Sequence, residues 1–230
     1  MNNILNIETA TDICSIAISR DGKVLSYRES LTNSHASKIT ILIEECLVAA
    51  NLKMTDLAAV AISNGPGSYT SLRVGASTAK GLCYALDIPM IAVDTLESLA
   101  LAAYTELGDE DAIYCPMIDA RRMEVYCSVF EIQNSHLKNI QPTQPLIVGL
   151  DFFKRYLDVG KRIILCGNGS LKCQEILNLD NFSYFKNICS ALNMIPLSMA
   201  SYLHNTSVNI AYHTPQYLKP PNITTAKKSL

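Results

Sequence analysis

The sequence predicts a duplicated α/β protein. Three observations carry that expectation. The chain opens with three short, alternating strands; helix and strand patterns then alternate; and after a polar break at 107–112 the three-strand opening returns. Single-strand openings, as in a Rossmann fold or a β/α barrel, do not fit.

Residues 3–10 (NILNIETA), 13–19 (ICSIAIS) and 24–30 (VLSYRES) read as strands, with Asp21-Gly22 as the hairpin turn between the second and third. A helical period follows. Ile39, Leu42, Ile43, Cys46, Leu47 and Ala50 fall on one face, and Asn33 or Ser34 is placed to cap it. LAAVAIS (57–63) is apolar on both faces, as an inner strand of a mixed or parallel sheet must be. A helix over 70–86, a strand over 89–94 and a helix over 95–107 with Thr95 as its cap complete a βββαβαβα half.

The second half restarts with strands at 112–119 and 124–132 around the turn Ala120–Met123. A third strand, 139–148, carries Pro142 and Pro145 and is therefore expected at a sheet edge. Helical segments at 149–157 and 169–177 flank a strand at 162–167, and a last helix is expected over 196–211, before an extended tail. We expect a first subdomain over 1–108, completed by the helix and tail 196–230, and a smaller second one over 109–195.

Composition narrows the function classes. Apolar residues make up 49% of the 230 and charged ones 17%, which suits a globular protein with a large core and a surface partly covered by a partner. The net charge is −2, and no basic run precedes Lys227-Lys228, so strong electrostatic binding of nucleic acid by this chain alone is not signalled. The opening lacks a basic n-region, and its apolar stretch breaks at Asn6 and Glu8, unlike a signal peptide. No segment approaches the ~18 apolar residues of a membrane span. Cysteines at 14, 46, 83, 115, 127, 166, 173 and 189 form no CxxC pair and lie mostly in apolar runs, as buried, reduced thiols of a cytoplasmic protein would.

Chemistry is sought first in NGPGSYTSLRVG (64–75). It is no P-loop, because no Gly-Lys-Ser/Thr follows Gly67. A Rossmann loop needs a third glycine where Thr70 stands, although Asp94 could mimic a ribose-binding acid. The plainer alternative is a tight turn at Gly65 and Gly67 with Ser68 or Thr70 as helix cap. The helix behind it carries Gly75, Ala76, Ser77, Ala79 and Gly81, while Ile41 and Val48 lie off the main stripe of the first helix. Together these suggest a helix-on-helix subunit contact; the alternative is close packing of the small residues on the chain's own sheet. His35, His136, His204 and His213 form no HxxxH pair, and no local Cys-His signature exists, so neither metal nor nucleophilic catalysis is signalled. Acids recur at equivalent points, in Glu8-Thr9-Ala10-Thr11-Asp12 and Asp119-Ala120-Arg121. Such hairpins embrace phosphates in actin-like ATPases; the alternative is that Thr9, Asp12 and Asp119 satisfy turn backbone.

The stretches ILNIETATDICSIAI, NGPGSYTSLRVG, AKGL, IDARRMEVY and PQYLK, in this order, resemble the TsaB (YeaZ) family of bacterial tRNA threonylcarbamoyladenosine biosynthesis. The resemblance is strongest over 1–106 and thin over 132–200. Tyr69 and Ser71 depart mildly from the family's GPGSFTGLR. Glu8 and Ala10 stand in its IDTS-like opening, which puts a phosphate role for that hairpin in doubt, and Lys219 replaces its terminal arginine. The resemblance implies an actin-like fold of the acetate kinase–Hsp70–actin, RNase H-like type. It implies a non-catalytic, cytoplasmic scaffold that dimerises with and activates a catalytic TsaD-type paralogue. A TsaE-type ATPase is the further partner, and tRNA is met only through the complex. A homodimer is open for the chain alone, and membranes play no part. The catalytic paralogue carries two metal-binding histidines in a VHHMEGH-like run; here they fall on Thr95 and Leu99, so no metal is expected. No cofactor is expected to bind tightly, with ATP or ADP at the complex interface. The phosphate-loop-like set is Thr9, Asp12, Gly65, Pro66, Gly67, Ser68 and Asp119. The interface set is His35, Ile41, Val48, Arg73, Gly75, Ala76, Ala79, Lys80 and Gly81. An actin-fold kinase or a metallopeptidase-like hydrolase is the alternative; a kinase's acids would have to come from Glu8, Asp12 and Asp119.

Overall fold

The computed structural model describes residues 1–31 and 35–219, with His35 described by its backbone alone. The caps expected at Asn33 or Ser34, and the tail from 220 on, lie outside the described residues. The first half runs β1 (Asn3–Glu8), β2 (Ile13–Arg20), β3 (Lys23–Leu31), α1 (His35–Ala50), β4 (Ala59–Ser63), α2 (Tyr69–Leu86), β5 (Met90–Val93) and α3 (Thr95–Leu107). The second runs β6 (Ile113–Asp119), β7 (Glu124–Gln133), β8 (His136–Ile147), α4 (Lys154–Leu157), β9 (Ile163–Cys166), β10 (Phe182–Phe185) and α5 (Ala191–Leu203).

The two sheets have the same order, β3-β2-β1-β4-β5 and β8-β7-β6-β9-β10, element for element. In each, the opening three strands are antiparallel and the remaining two join in parallel. Asp21 and Gly22 both have positive φ, as a two-residue hairpin that follows strand twist requires. Asn134 and Ser135 do the same between β7 and β8. The prolines of β8 are tolerated because that strand is an edge.

Both faces of the first sheet are covered, so Ile4, Leu5 and Ile7 are all fully buried. α1 and α2 cover one face, over a core that includes Ile16, Ile39, Ile43, Val60, Ile62 and Ala79. The other face is covered from the opposite half: Met194 of α5 packs on Ile4, Ala59, Ala61 and Ile91. α3 is exchanged in the reverse direction, its Ala100 and Ala103 packing on Tyr114, Phe130 and Ile164 of the second sheet. Each exchanged helix buries its apolar stripe on the other half's sheet, at about 1.5–3 kcal/mol per large side chain, so the halves are held by core contacts.

Three local expectations are corrected, and one strand is added. The last helix spans Ala191–Leu203, not 196–211, because Ser190 caps it (Leu192 N to Ser190 Oγ, 3.3 Å). Pro196 lies inside it rather than at its start, leaving the Leu192 carbonyl without the amide it would otherwise meet. Helix α3 is capped by Asp94, whose Oδ1 accepts from Glu97 N at 2.9 Å; Thr95 turns inward instead. The segment 169–177 holds a single 3₁₀ turn, Leu171–Cys173, too short a connection to sustain an α-helix. Finally, Phe182–Phe185 forms strand β10, which completes the second half. Among the described residues no helix is long and apolar enough to cross a membrane.

Candidate functional site

The ends of β1, β4 and β6 converge on a cleft of about 410 Å³ between the halves, lined among others by Asp12, Gly67, Ser68, Asp119, Arg121 and Lys219. The phosphate-loop-like residues meet here, but most of their polar groups are already in use. Gly65 N donates to Thr95 Oγ1 and Thr95 N to Gly65 O, both at 3.1 Å. Ser68 N donates to Ala10 O at 2.7 Å, and the Ser68 hydroxyl pairs with Ser71 instead of capping α2. A Cβ on Gly67 would stand 2.4 Å from Ala10 O. The loop is therefore glycine-rich because it lies directly on the first hairpin. Pro66, joined to Gly65 by a cis peptide, brings no amide.

Glu8 curls back under that hairpin and accepts from Ala10 N at 2.6 Å. Thr9 N donates to Ser63 Oγ at 3.1 Å. Glu8 is 1% exposed, and burial pushes its carboxyl up to about 7, against hydrogen bonds from Ala10, Ser63 and Thr9 that lower it. Asp12 stands exposed at the cleft rim. Across the cleft, Asp119 accepts from Arg121 N at 2.8 Å, and its own amide donates to Asn168 Oδ1 at 3.2 Å. Lys172 pairs with the Asp119 carboxylate and donates to Arg122 O at 2.8 Å, bracing a turn in which Arg121 and Arg122 both have positive φ. Asn168 and Lys172 escaped the sequence reading. The signal for the first was Gly167-Asn168-Gly169 directly after a strand, a mirror of Asn64-Gly65; nothing local points to Lys172.

Thr95 and Leu99 do not line the cleft. Thr95 holds the loop, and Leu99 is fully buried against Ile118. Among the described residues no group of three His, Cys, Asp or Glu side chains is placed to hold a metal ion. All eight cysteines are free and buried.

The interface set divides in two. Gly75, Ala76 and Ala79 face inward: Ala76 is 5% exposed, Ala79 is fully buried, and a Cβ on Gly75 would meet Thr9 Oγ1 at 2.5 Å. This corrects the expectation for those three, whose small size serves packing within the chain. Lys80 is half-buried, Arg73 is bound to Tyr69 and Tyr217, and the His35 side chain lies outside the described residues. Ile41 and Val48 on α1 are 45% and 73% exposed, and α1 packs beside α2. On α2, Gly81 faces open space and Tyr84, missed from the sequence, is 83% exposed. Solvent thus meets an apolar face built on two long helices.

Fold and cleft define a two-lobed, actin-like α/β protein whose glycine loop rests on its own hairpin. The sequence profile of the family described as "TsaD: tRNA N6-adenosine threonylcarbamoyltransferase" matches residues 28–216. The chain is 30% identical over 166 residues to the tRNA threonylcarbamoyladenosine biosynthesis protein TsaB of Bacillus subtilis, covering 72% of this chain and 70% of that one. It is 27% identical to TsaB of Escherichia coli, covering 94% of each. A tRNA N6-adenosine threonylcarbamoyltransferase of Geotalea uraniireducens is 33% identical over 124 residues, 46% of this chain and 36% of that longer one. Among solved structures, YeaZ from Pseudomonas aeruginosa shares the fold at a TM-score of 0.80 and 23% identity, over 95% of this chain and 100% of that one. The chain belongs to the TsaB family, and its role lies in tRNA threonylcarbamoyladenosine biosynthesis.

Proposed function

We propose that this chain is a non-catalytic scaffold that pairs with a TsaD-type paralogue and activates it. The paired subunit transfers threonylcarbamoyl to adenosine 37 of tRNAs that read ANN codons. A TsaE-type ATPase joins the assembly in the cytoplasm, ATP or ADP binds at the complex interface, and tRNA is met through the complex. The observation that carries this reading is the α1–α2 face. Ile41, Val48 and Tyr84 leave apolar surface in solvent, and Gly81, one turn before Tyr84, has no contact among the described residues that calls for a glycine. A mid-helix glycine costs about 1 kcal/mol relative to alanine, and close approach of a partner helix accounts for keeping it. The same face accommodates a second copy of the chain when the paralogue is absent.

The test is Gly81→Arg, chosen because its side chain enters open space and leaves the fold intact. Size-exclusion chromatography with light scattering should show a folded chain whose affinity for the TsaD-type subunit falls by about 30-fold or more, the scale of an interface hot spot. Modification of tRNA by the reconstituted set should fall with it. A folded Gly81→Arg chain that pairs with unchanged affinity would place the contact elsewhere.

A further inference from the structure

The tail crosses the cleft. Past α5, Val208 N donates to Met90 O at 2.9 Å, and the chain turns back over the glycine loop. Gln216 N donates to Asn64 O at 2.7 Å, one residue beyond the end of β4. The Gln216 carbonyl lies 2.9 Å from where a Cβ on Gly65 would be, and Gly65 has φ +98°. Gly65 therefore makes room for the tail, as Gly67 does for the hairpin.

Alternate tail residues are the anchors, as in an extended peptide bound along a groove. Pro215 is buried. The Tyr217 ring lies 4.5 Å from that of Tyr69, and its hydroxyl accepts from Arg73 Nε at 3.3 Å. The Arg73 guanidinium in turn sits 4.2 Å from the Tyr69 ring centre. Two residues on, Lys219 pairs with Glu124 of the opposite half. Glu124 is the root of the hairpin that Lys172 braces through the Glu124 carbonyl at 2.5 Å. The tail thus joins the two structures that face each other over the cleft, the loop 64–69 and the hairpin 119–124.

We propose that residues 214–219 are a tethered peptide ligand of the cleft, a Pro-x-Tyr-x-Lys segment gripped at Tyr217 by the first half and at Lys219 by the second, which couples the glycine loop to the hairpin 119–124. The site recognises an extended aromatic–basic peptide, and its resident ligand is the chain's own tail. Pairing is proposed through the outward residues Ile41, Val48, Gly81 and Tyr84, whereas the tail meets α2 at its first turn and a half, Tyr69 and Arg73.

Hydrogen exchange on the full chain tests it. Tyr217→Ala should speed exchange of the Gln216 amide and of the hairpin amides Ala120 and Glu124 by about tenfold or more, the signature of one cooperative opening, with β2 unchanged. Glu124→Lys should do the same at both ends, and combining it with Lys219→Glu should restore slow exchange. Tyr217→Phe, which keeps the ring contact, should stay close to the parent chain. A synthetic peptide of residues 213–219 added to the Tyr217→Ala chain should slow the hairpin amides again. Release of Gln216 with no change in the hairpin would overturn the coupling. Unchanged Gln216 in both single variants would overturn the anchoring, and failure of the charge swap to rescue would overturn the role of the Lys219–Glu124 pair.

Discussion

The two halves share a strand order but not a covering. The first sheet carries helices of 16 and 18 residues on its outer face, α1 and α2. The equivalent face of the second has the four-residue α4 and 3₁₀ turns, and closes its core with Phe153, Tyr156 and Phe182. The hairpins differ as well. In the first half a glutamate is buried beneath the turn and paired only with amides and a hydroxyl; in the second an exposed aspartate is held by Lys172. Sheet order and the close approach of loop to first-strand end persist in both: Gly67 lies over Ala10, and Gly167 lies over Met117 and Gly169 over Ile118 and Asp119. What varies is the charge at the hairpins and the covering of the outer faces. Long helices are kept where they present Ile41, Val48 and Tyr84, and are reduced to aromatic plugs where they do not.

That contrast is most easily broken at Phe153. It is fully buried and meets Phe152 and Phe182 edge-on at 4.9 and 5.2 Å, doing with one ring what a helix does in the first half. Phe153→Ala should cost about 3–5 kcal/mol, read as a shift of the urea midpoint at constant slope. A loss under about 1 kcal/mol would mean that the short segments collapse into the cavity and that the aromatic plug is not the closure.

The next effect separates the hairpins by pH. Folding raises Glu8 to about 7 from an ordinary value near 4.5. Between these values the folded chain holds a proton that the unfolded chain has released. Stability from Glu8 is therefore full below about pH 4.5 and is lost as pH rises through about 7, by up to about 3 kcal/mol. Glu8→Gln mimics the protonated acid and keeps an acceptor for Ala10 N. It should gain on the parent chain in urea melts as pH rises from 5 to 8. Parallel pH profiles for the two proteins would remove the buried carboxylate from the account.

Local pattern made much of this legible. The period-two strands, the Asp21-Gly22 turn and the 3.6-residue stripe of α1 are short-range signals, and they placed β1–β5 and both long helices. Strand β10 was not legible because Phe182–Phe185 is four residues between polar neighbours, with no turn signal to bound it. Thr95 was read as a cap because a hydroxyl before a helix is the usual cap; only the fold shows Asp94 doing that work and Thr95 holding Gly65. The packing of α3 on the second sheet leaves no mark, since an apolar stripe does not say which sheet it covers. The cleft was partly legible: both hairpins and the loop were located, but the braces Lys172 and Lys219 come from 53 and 95 residues away.

The smallest predicted effect is the sharpest test of which face is inside and which outside, because it compares two glycines of one helix. Gly75 and Gly81 are six residues apart on α2 and look alike in the sequence. A methyl on Gly75 would stand 2.5 Å from Thr9 Oγ1, closer than real contacts allow, so Gly75→Ala must rotate or displace the buried Thr9 side chain and should destabilise by about 1–3 kcal/mol. A methyl on Gly81 meets nothing among the described residues, so Gly81→Ala should stabilise the isolated chain by about 0.5–1 kcal/mol through helix propensity alone. The same methyl sits where the partner helix is to approach, and it should weaken pairing with the TsaD-type subunit while the free chain grows more stable. Thermal melts of the chain alone, set beside titrations with the partner, read the two effects separately. If stability and affinity both rise, Gly81 lies outside the contact and the face must be redrawn around Ile41 and Val48; if both fall, α2 is packed at Gly81 by something within the chain.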